Sequence, residues 1–238
     1  MNTFEKNTTV VLVHGAWADG SSWSRVIEPL RAAGLGVVCA PIPLSSLSED
    51  IAAVTHAVER VQGAVLLAGH AYGGAPMAGV QNECVKGLVY IAALAPDAGE
   101  TVAEVFYREK PHPQAPTLVP DDRGYIWMPE SGFANAFAQN APQETLVILN
   151  AIQRPISVKC IQEKAPVPAW KSGPSWFLVA EQDRMISPTT QRVMAERMKA
   201  KILPRPVDHT PSITAPEAVV EVLLEAANSV FKKRNSSA

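Results

Sequence analysis

The sequence predicts an α/β protein built on a mainly parallel, open sheet with helices on both faces and a small inserted lid. Three observations predict it. Short β-branched runs alternate with helix-periodic stretches, one of those runs ends in the turn Gly69-His70-Ala71-Tyr72-Gly73-Gly74, and the alternation stops in a proline-rich middle segment. A chain of 238 residues is long enough to bury one sizeable core, so a single domain is expected.

Val10-Val11-Leu12-Val13 is continuously apolar, as strands buried on both faces of a parallel sheet are, and it ends at His14-Gly15-Ala16-Trp17. Residues 22–33 place Trp23, Val26, Ile27 and Leu30 at helical spacing and stop at Gly34, a good C-terminal cap. A second strand over 37–40 is broken by Pro41 and Pro43, and Ser46 with Glu49 forms a possible capping box for a helix reaching about Val61. A third strand, 64–68, leads into the glycine turn, and a fourth is expected over 88–92.

Between Pro96 and Pro174 prolines mix with Phe106, Tyr107, Tyr125, Trp127, Met128, Phe133 and Phe137. A structureless loop of that length is improbable in a compact domain, so short helices are expected near 132–139 and 142–152. The expected division is therefore a core of residues 1–95 and 175–238 with a lid of residues 96–174. The sheet resumes at 176–180, Ser187-Pro188 opens a helix to about Met198, 201–203 is the last strand, and Thr214 with Glu217 predicts a capping box for a final helix to about Val230.

Composition narrows the function classes. A formal net charge of −2, with Lys and Arg interspersed, offers no broad basic face for nucleic acid. Cys39, Cys84 and Cys160 are odd in number, far apart and without metal-binding spacing, so they read as reduced thiols, and neither a metal nor a disulfide framework is expected. Residues 1–9 lack the pattern of a signal peptide and no apolar run approaches the roughly 20 residues that span a bilayer, so a cytoplasmic protein without a membrane partner is expected. Lys232-Lys233-Arg234 reads as part of a solvated tail.

The glycine turn carries the chemistry. In a nucleophile elbow a strand turns sharply into a helix through small residues and presents one side chain at the sheet edge. Gly69 and Gly73 occupy the outer positions of G-x-S-x-G, and Ala71 stands where the serine belongs. On these residues the chain resembles the α/β-hydrolase superfamily over nearly its whole length. The short His14-Gly15-Ala16-Trp17 motif and the small lid resemble its esterase and hydroxynitrile-lyase branch.

The resemblance implies that the backbone N–H groups of Ala16 and Tyr72 form an oxyanion hole. Its order of nucleophile, acid and histidine implies Asp183, after the penultimate strand, as the acid and His209, before the final helix, as the base. Asp97 is a weaker alternative acid, and Asp208 is too near in sequence to orient its neighbour's ring. His14 belongs to the oxyanion loop, His70 reads as a filler of the elbow, and His56 and His112 read as ordinary surface or core residues. Trp17, His14 and the lid aromatics Trp127 and Phe133 are candidate substrate contacts around an apolar pocket, although aromatics at helical spacing also read as core.

Three readings account for Ala71. In the first, a serine hydrolase for a small apolar ester, amide or carbamate is present in a form inactivated by Ser→Ala. In the second, a natural lyase or cofactor-free enzyme uses His209 and Asp183 without a nucleophile; in the third, a pseudo-hydrolase only binds a ligand. All three take a small molecule and none calls for a cofactor; the oligomeric state is left open.

Overall fold

A computed structural model describes residue 4 and residues 7–231; the expected solvated tail from Lys232 lies outside the described residues. Six strands form one fully parallel sheet: β1 (Thr8–Val13), β2 (Gly36–Ala40), β3 (Ala64–His70), β4 (Val85–Ile91), β7 (Ser175–Ala180) and β8 (Lys201–Arg205). Their order is β2-β1-β3-β4-β7-β8, so the winding reverses between β1 and β3. In open parallel sheets that switch point opens a crevice at the carboxyl ends of the strands. Here it lies between the loop after β1 and the turn after β3.

Both faces of the sheet are covered, which explains the continuously apolar strands. Val11 and Val13 of β1, with Val65 and Leu67 of β3, face a core shared with α2 (Leu47–Glu59), α3 (Gly74–Ala78) and α8 (Pro188–Arg197). Val10, Leu12, Leu66 and Ala68 face the opposite core, closed by α1 (Ser24–Ala32) and α10 (Pro216–Phe231). Strand geometry sends successive side chains to opposite sides, so every residue of β1 is buried.

The helix starts follow local chemistry with two departures from expectation. Ser46 Oγ accepts the Glu49 N–H and caps α2, but the Glu49 carboxylate turns to Ser45 Oγ, so the reciprocal half of the box is missing. Thr214 does not cap the final helix. It closes a separate turn, α9 (Pro211–Thr214), and its hydroxyl donates to Asp208 Oδ1 at 2.5 Å, because the buried carboxylate beside His209 outcompetes a solvated cap.

The segment between β4 and β7 carries α4 (Val102–Phe106), an antiparallel hairpin of β5 (Tyr125–Ile126) and β6 (Ile156–Ser157), α5 (Glu130–Gly132), a π turn (Phe133–Phe137), α6 (Gln143–Ile152) and α7 (Val158–Gln162). Polar clasps hold this cap over the sheet's carboxyl edge. Arg154 donates to the Ile42 and Pro43 carbonyls, Ser157 N–H donates to the Leu44 carbonyl at 2.9 Å, and Trp17 N–H donates to the Arg154 carbonyl at 3.1 Å.

Candidate active site

The elbow is a matter of crowding. A Cβ on Gly69 would lie 2.7 Å from the Gly73 carbonyl oxygen, and one on Gly73 would lie 2.5 Å from that of His14. Such distances forbid any side chain, so the turn tolerates only glycine at both positions. Ala71, between them, is forced to a φ of 49°, a left-handed conformation that costs an alanine about 1 kcal/mol or more. Leu94 N–H holds the Ala71 carbonyl at 2.9 Å.

Ala16, in the loop after β1, and Tyr72, in the first turn after β3, are both buried. Among the described residues neither backbone N–H has an acceptor in the protein, as first-turn donors such as Tyr72 N–H lack one inside their own helix. Buried, unpaired N–H groups beside the cavity are what an oxygen carrying developing negative charge requires.

His209 and Asp183 are brought together. His209 Nδ1 donates to Asp183 Oδ2 at 2.8 Å, which leaves Nε2 as the nitrogen free to exchange a proton. The acid is itself held: Oδ1 accepts the N–H groups of Met185 at 2.7 Å and Ile186 at 2.9 Å, while Oδ2 also accepts Gln191 Nε2 at 2.8 Å. Gln191 in turn donates to the Ile186 carbonyl and accepts the Ala180 N–H. Asp97 sits elsewhere, paired with Lys171. Asp208 turns away from the ring and accepts the Asn140 N–H of the cap at 3.0 Å.

His70 is more than filler. Burial drives its pKa down to about 3, so the ring is neutral, and Nε2–H donates to the His209 carbonyl at 2.7 Å. The two rings lie 5.0 Å apart. Burial likewise lowers His14 to about 4, and its Nδ1–H donates to the Gly15 carbonyl at 2.9 Å, stiffening the loop that carries Ala16.

Over these groups lies a small, mostly apolar cavity. Ala16, Trp17, Ala71, Tyr72 and His209 form its floor, and Phe106, Ile126, Phe137, Ile156 and Ile161 are among the cap residues that wall it. Among the described residues no Asp, Glu, Lys or Arg lines it.

Of the expected substrate contacts, Trp17 reaches the cavity and three do not. His14 is turned to its own loop; Trp127 is half exposed, with its indole N–H donating to Asp121; Phe133 is buried behind Phe137 at 5.4 Å between ring centroids. Ile126, the last residue of β5, takes the side facing the cavity, and Trp127 follows it outside the strand and toward solvent. The π turn brings Phe137 to the cavity, 5.4 Å from the His209 ring and 6.1 Å from Trp17. Gln191, Ile156 and Ile161 carried no motif. A polar residue one turn into the helix beside the acid loop is the one feature by which Gln191 could have been found.

Known proteins share this architecture. A pyrethroid hydrolase from Sphingobium faniae JZ-2 superposes with a TM-score of 0.81 at 22% identity, covering 93% of this chain and 98% of its own. Polyneuridine aldehyde esterase gives 0.81 at 17%, covering 93% and 100%. A tomato methylketone synthase I variant complexed with β-ketoheptanoate gives 0.79 at 17%, covering 95% and 100%. At these identities the likeness is one of fold. No curated protein sequence matches the chain. The Alpha/beta hydrolase family matches residues 10–222, nearly the whole described chain, and this protein therefore belongs to that family.

Proposed function

We propose that this scaffold is that of a serine-type hydrolase for small, largely apolar acyl substrates, present here in a form that lacks only the nucleophile. The observation that carries the reading is Ala71: it is strained to a left-handed φ in a glycine-crowded elbow, with unpaired N–H groups beside it and the His209–Asp183 pair at the same cavity. A backbone so constrained presents one Cβ to the cavity, and a serine there would complete the chemistry. Its Oγ would attack the acyl carbon as His209 Nε2 takes the hydroxyl proton, the carbonyl oxygen would gather charge between Ala16 and Tyr72 N–H, and the leaving group would depart with the proton from His209. Water would then cleave the acyl-enzyme by the same route in reverse. The esterase and hydrolase neighbours support the reaction class, and the uncharged walls support an apolar substrate.

The test is Ala71→Ser. The folded variant is expected to hydrolyse short aryl esters that the chain as it stands leaves intact. In a serine protease, removing the nucleophile lowers kcat about a million-fold, or about 8 kcal/mol, so the gain is unmistakable.

Ala71 itself favours a second reading, in which the chain is active without a nucleophile. A methylketone synthase bound to a β-keto acid is among the structural neighbours. Breaking the carboxyl C–C bond of such an acid releases CO₂ and leaves an enolate, whose oxygen the same N–H pair would hold while a protonated His209 returns a proton to carbon. Release of CO₂ from β-ketoheptanoate by the unmodified chain, lost on His209→Ala, would replace the first reading with this one.

A further inference from the structure

One buried polar group has no part in the chemistry above. The Asp50 side chain, on α2, has no solvent exposure and sits against the elbow from below. Its Oδ2 accepts the Tyr72 hydroxyl at 2.6 Å and the Cys160 thiol at 3.5 Å, and its Oδ1 accepts the Leu44 N–H at 2.8 Å. Burial raises the pKa of Asp50, against the pull of these three donors and of Arg154, and burial raises that of the Tyr72 phenol, with Asp50 adding to it. The phenol therefore remains a donor.

The position of each partner matters. Tyr72 follows Ala71 and owns one of the two unpaired N–H groups. Leu44, held at a φ of 62°, is the residue whose carbonyl accepts the cap's Ser157 N–H. Cys160 precedes Ile161, a wall residue of the cavity. One carboxylate thus joins the elbow, the loop after β2 and the cap.

We infer that Asp50 is a positioning residue for the oxyanion hole, acting through the Tyr72 hydroxyl to fix the direction of the residue-72 N–H. A tyrosine anchored at its far end cannot rotate about χ1 without breaking a buried, short hydrogen bond, and an unmade bond to a buried carboxylate is costly. The backbone at residue 72 is held by that lever on one side and by the glycine crowding on the other. The inference rests on the oxyanion-hole reading of Ala16 and Tyr72.

The experiment uses the unmodified chain and hexanoate, whose carboxylate oxygen is expected to seat between the two N–H groups with its tail in the apolar cavity. In a titration followed by backbone amide resonances, the Ala16 and residue-72 amides are expected to shift together. Tyr72→Phe and Asp50→Ala are each expected to weaken hexanoate about tenfold and to shrink the residue-72 shift, whereas Asp50→Asn, which still packs against the Tyr72 oxygen and Leu44 N–H, should recover most of both. Tyr72→Phe removes one oxygen and leaves the packing, so it carries the test if Asp50→Ala does not fold. Unchanged affinity and an unchanged residue-72 shift in folded Tyr72→Phe would overturn the inference, as would hexanoate that moves neither amide in the parent. Hydrolysis by Ala71→Ser is read separately, so failure of the hydrolase reading leaves this result standing on its own.

Discussion

The sheet edge and the cap meet at one cavity but are built on different principles. At the edge, position is set by backbone against backbone: Gly69 and Gly73 admit no Cβ, Ala71 is bent to a positive φ, and Asp183 is gripped by two N–H groups and an amide. In the cap, the surfaces facing the cavity are aliphatic and aromatic side chains that other apolar groups could replace. On the hydrolase reading, catalysis would rest on groups that cannot be exchanged and substrate choice on groups that can.

The largest effect is expected at the edge. Gly73→Ala drives a Cβ into the His14 and Val13 carbonyl oxygens, at 2.5 and 2.6 Å, and neither strand end can move without displacing β1. A loss of about 3 kcal/mol is expected in urea unfolding. Next comes Gln191→Ala, which strips one donor from Asp183 and leaves the Ala180 N–H without its acceptor. About 2 kcal/mol is expected.

The buried imidazoles make the edge sensitive to acid. His14 and His70 stay neutral in the fold down to pH values of about 4 and about 3, while the unfolded chain takes up those protons near 6.5. The unfolded state binds more protons between these limits, so stability is full above pH 6.5 and falls steadily as pH drops toward 4. Urea midpoints at pH 7 and pH 5 measure it. His70→Asn is expected to reduce the slope, and a slope unchanged by that substitution would take the edge's acid sensitivity away from His70.

The smallest effect belongs to the cap's outer face. Trp127→Ala removes a half-exposed ring that the cavity does not use, and is expected to change stability by no more than about 0.5 kcal/mol and hexanoate affinity not at all. A clear loss of affinity would put Trp127 back in the site and blur the contrast.

The same contrast decides what could be read from the sequence. The strands and the elbow were legible because backbone crowding demands glycine and buried parallel strands demand unbroken apolar runs; Asp183 and His209 were reached through the residue order of the family the chain resembles. The cap was legible as an insertion but not in its facing. Strand β5 is two residues long, too short for its alternation to mark Ile126 as inward and Trp127 as outward, and the π turn that aims Phe137 leaves no periodic trace. Thr214 and Glu217 had the spacing of a cap, yet a carboxylate beside His209 claimed the hydroxyl. Long-range partners such as Asp50 with Tyr72, or His70 with the His209 carbonyl, lie too far apart in sequence for any local pattern to announce them.

On the hydrolase reading, the elbow presents residue 71 to His209 and to the two N–H groups as a nucleophile position. Intact-mass analysis of folded Ala71→Ser after treatment with a serine-directed phosphonate decides it. One phosphonate adduct, located at residue 71 and absent both from the unmodified chain and from Ala71→Ser carrying His209→Ala, is the predicted result. A folded variant that takes up no adduct, under conditions that label an ordinary serine esterase, would contradict it.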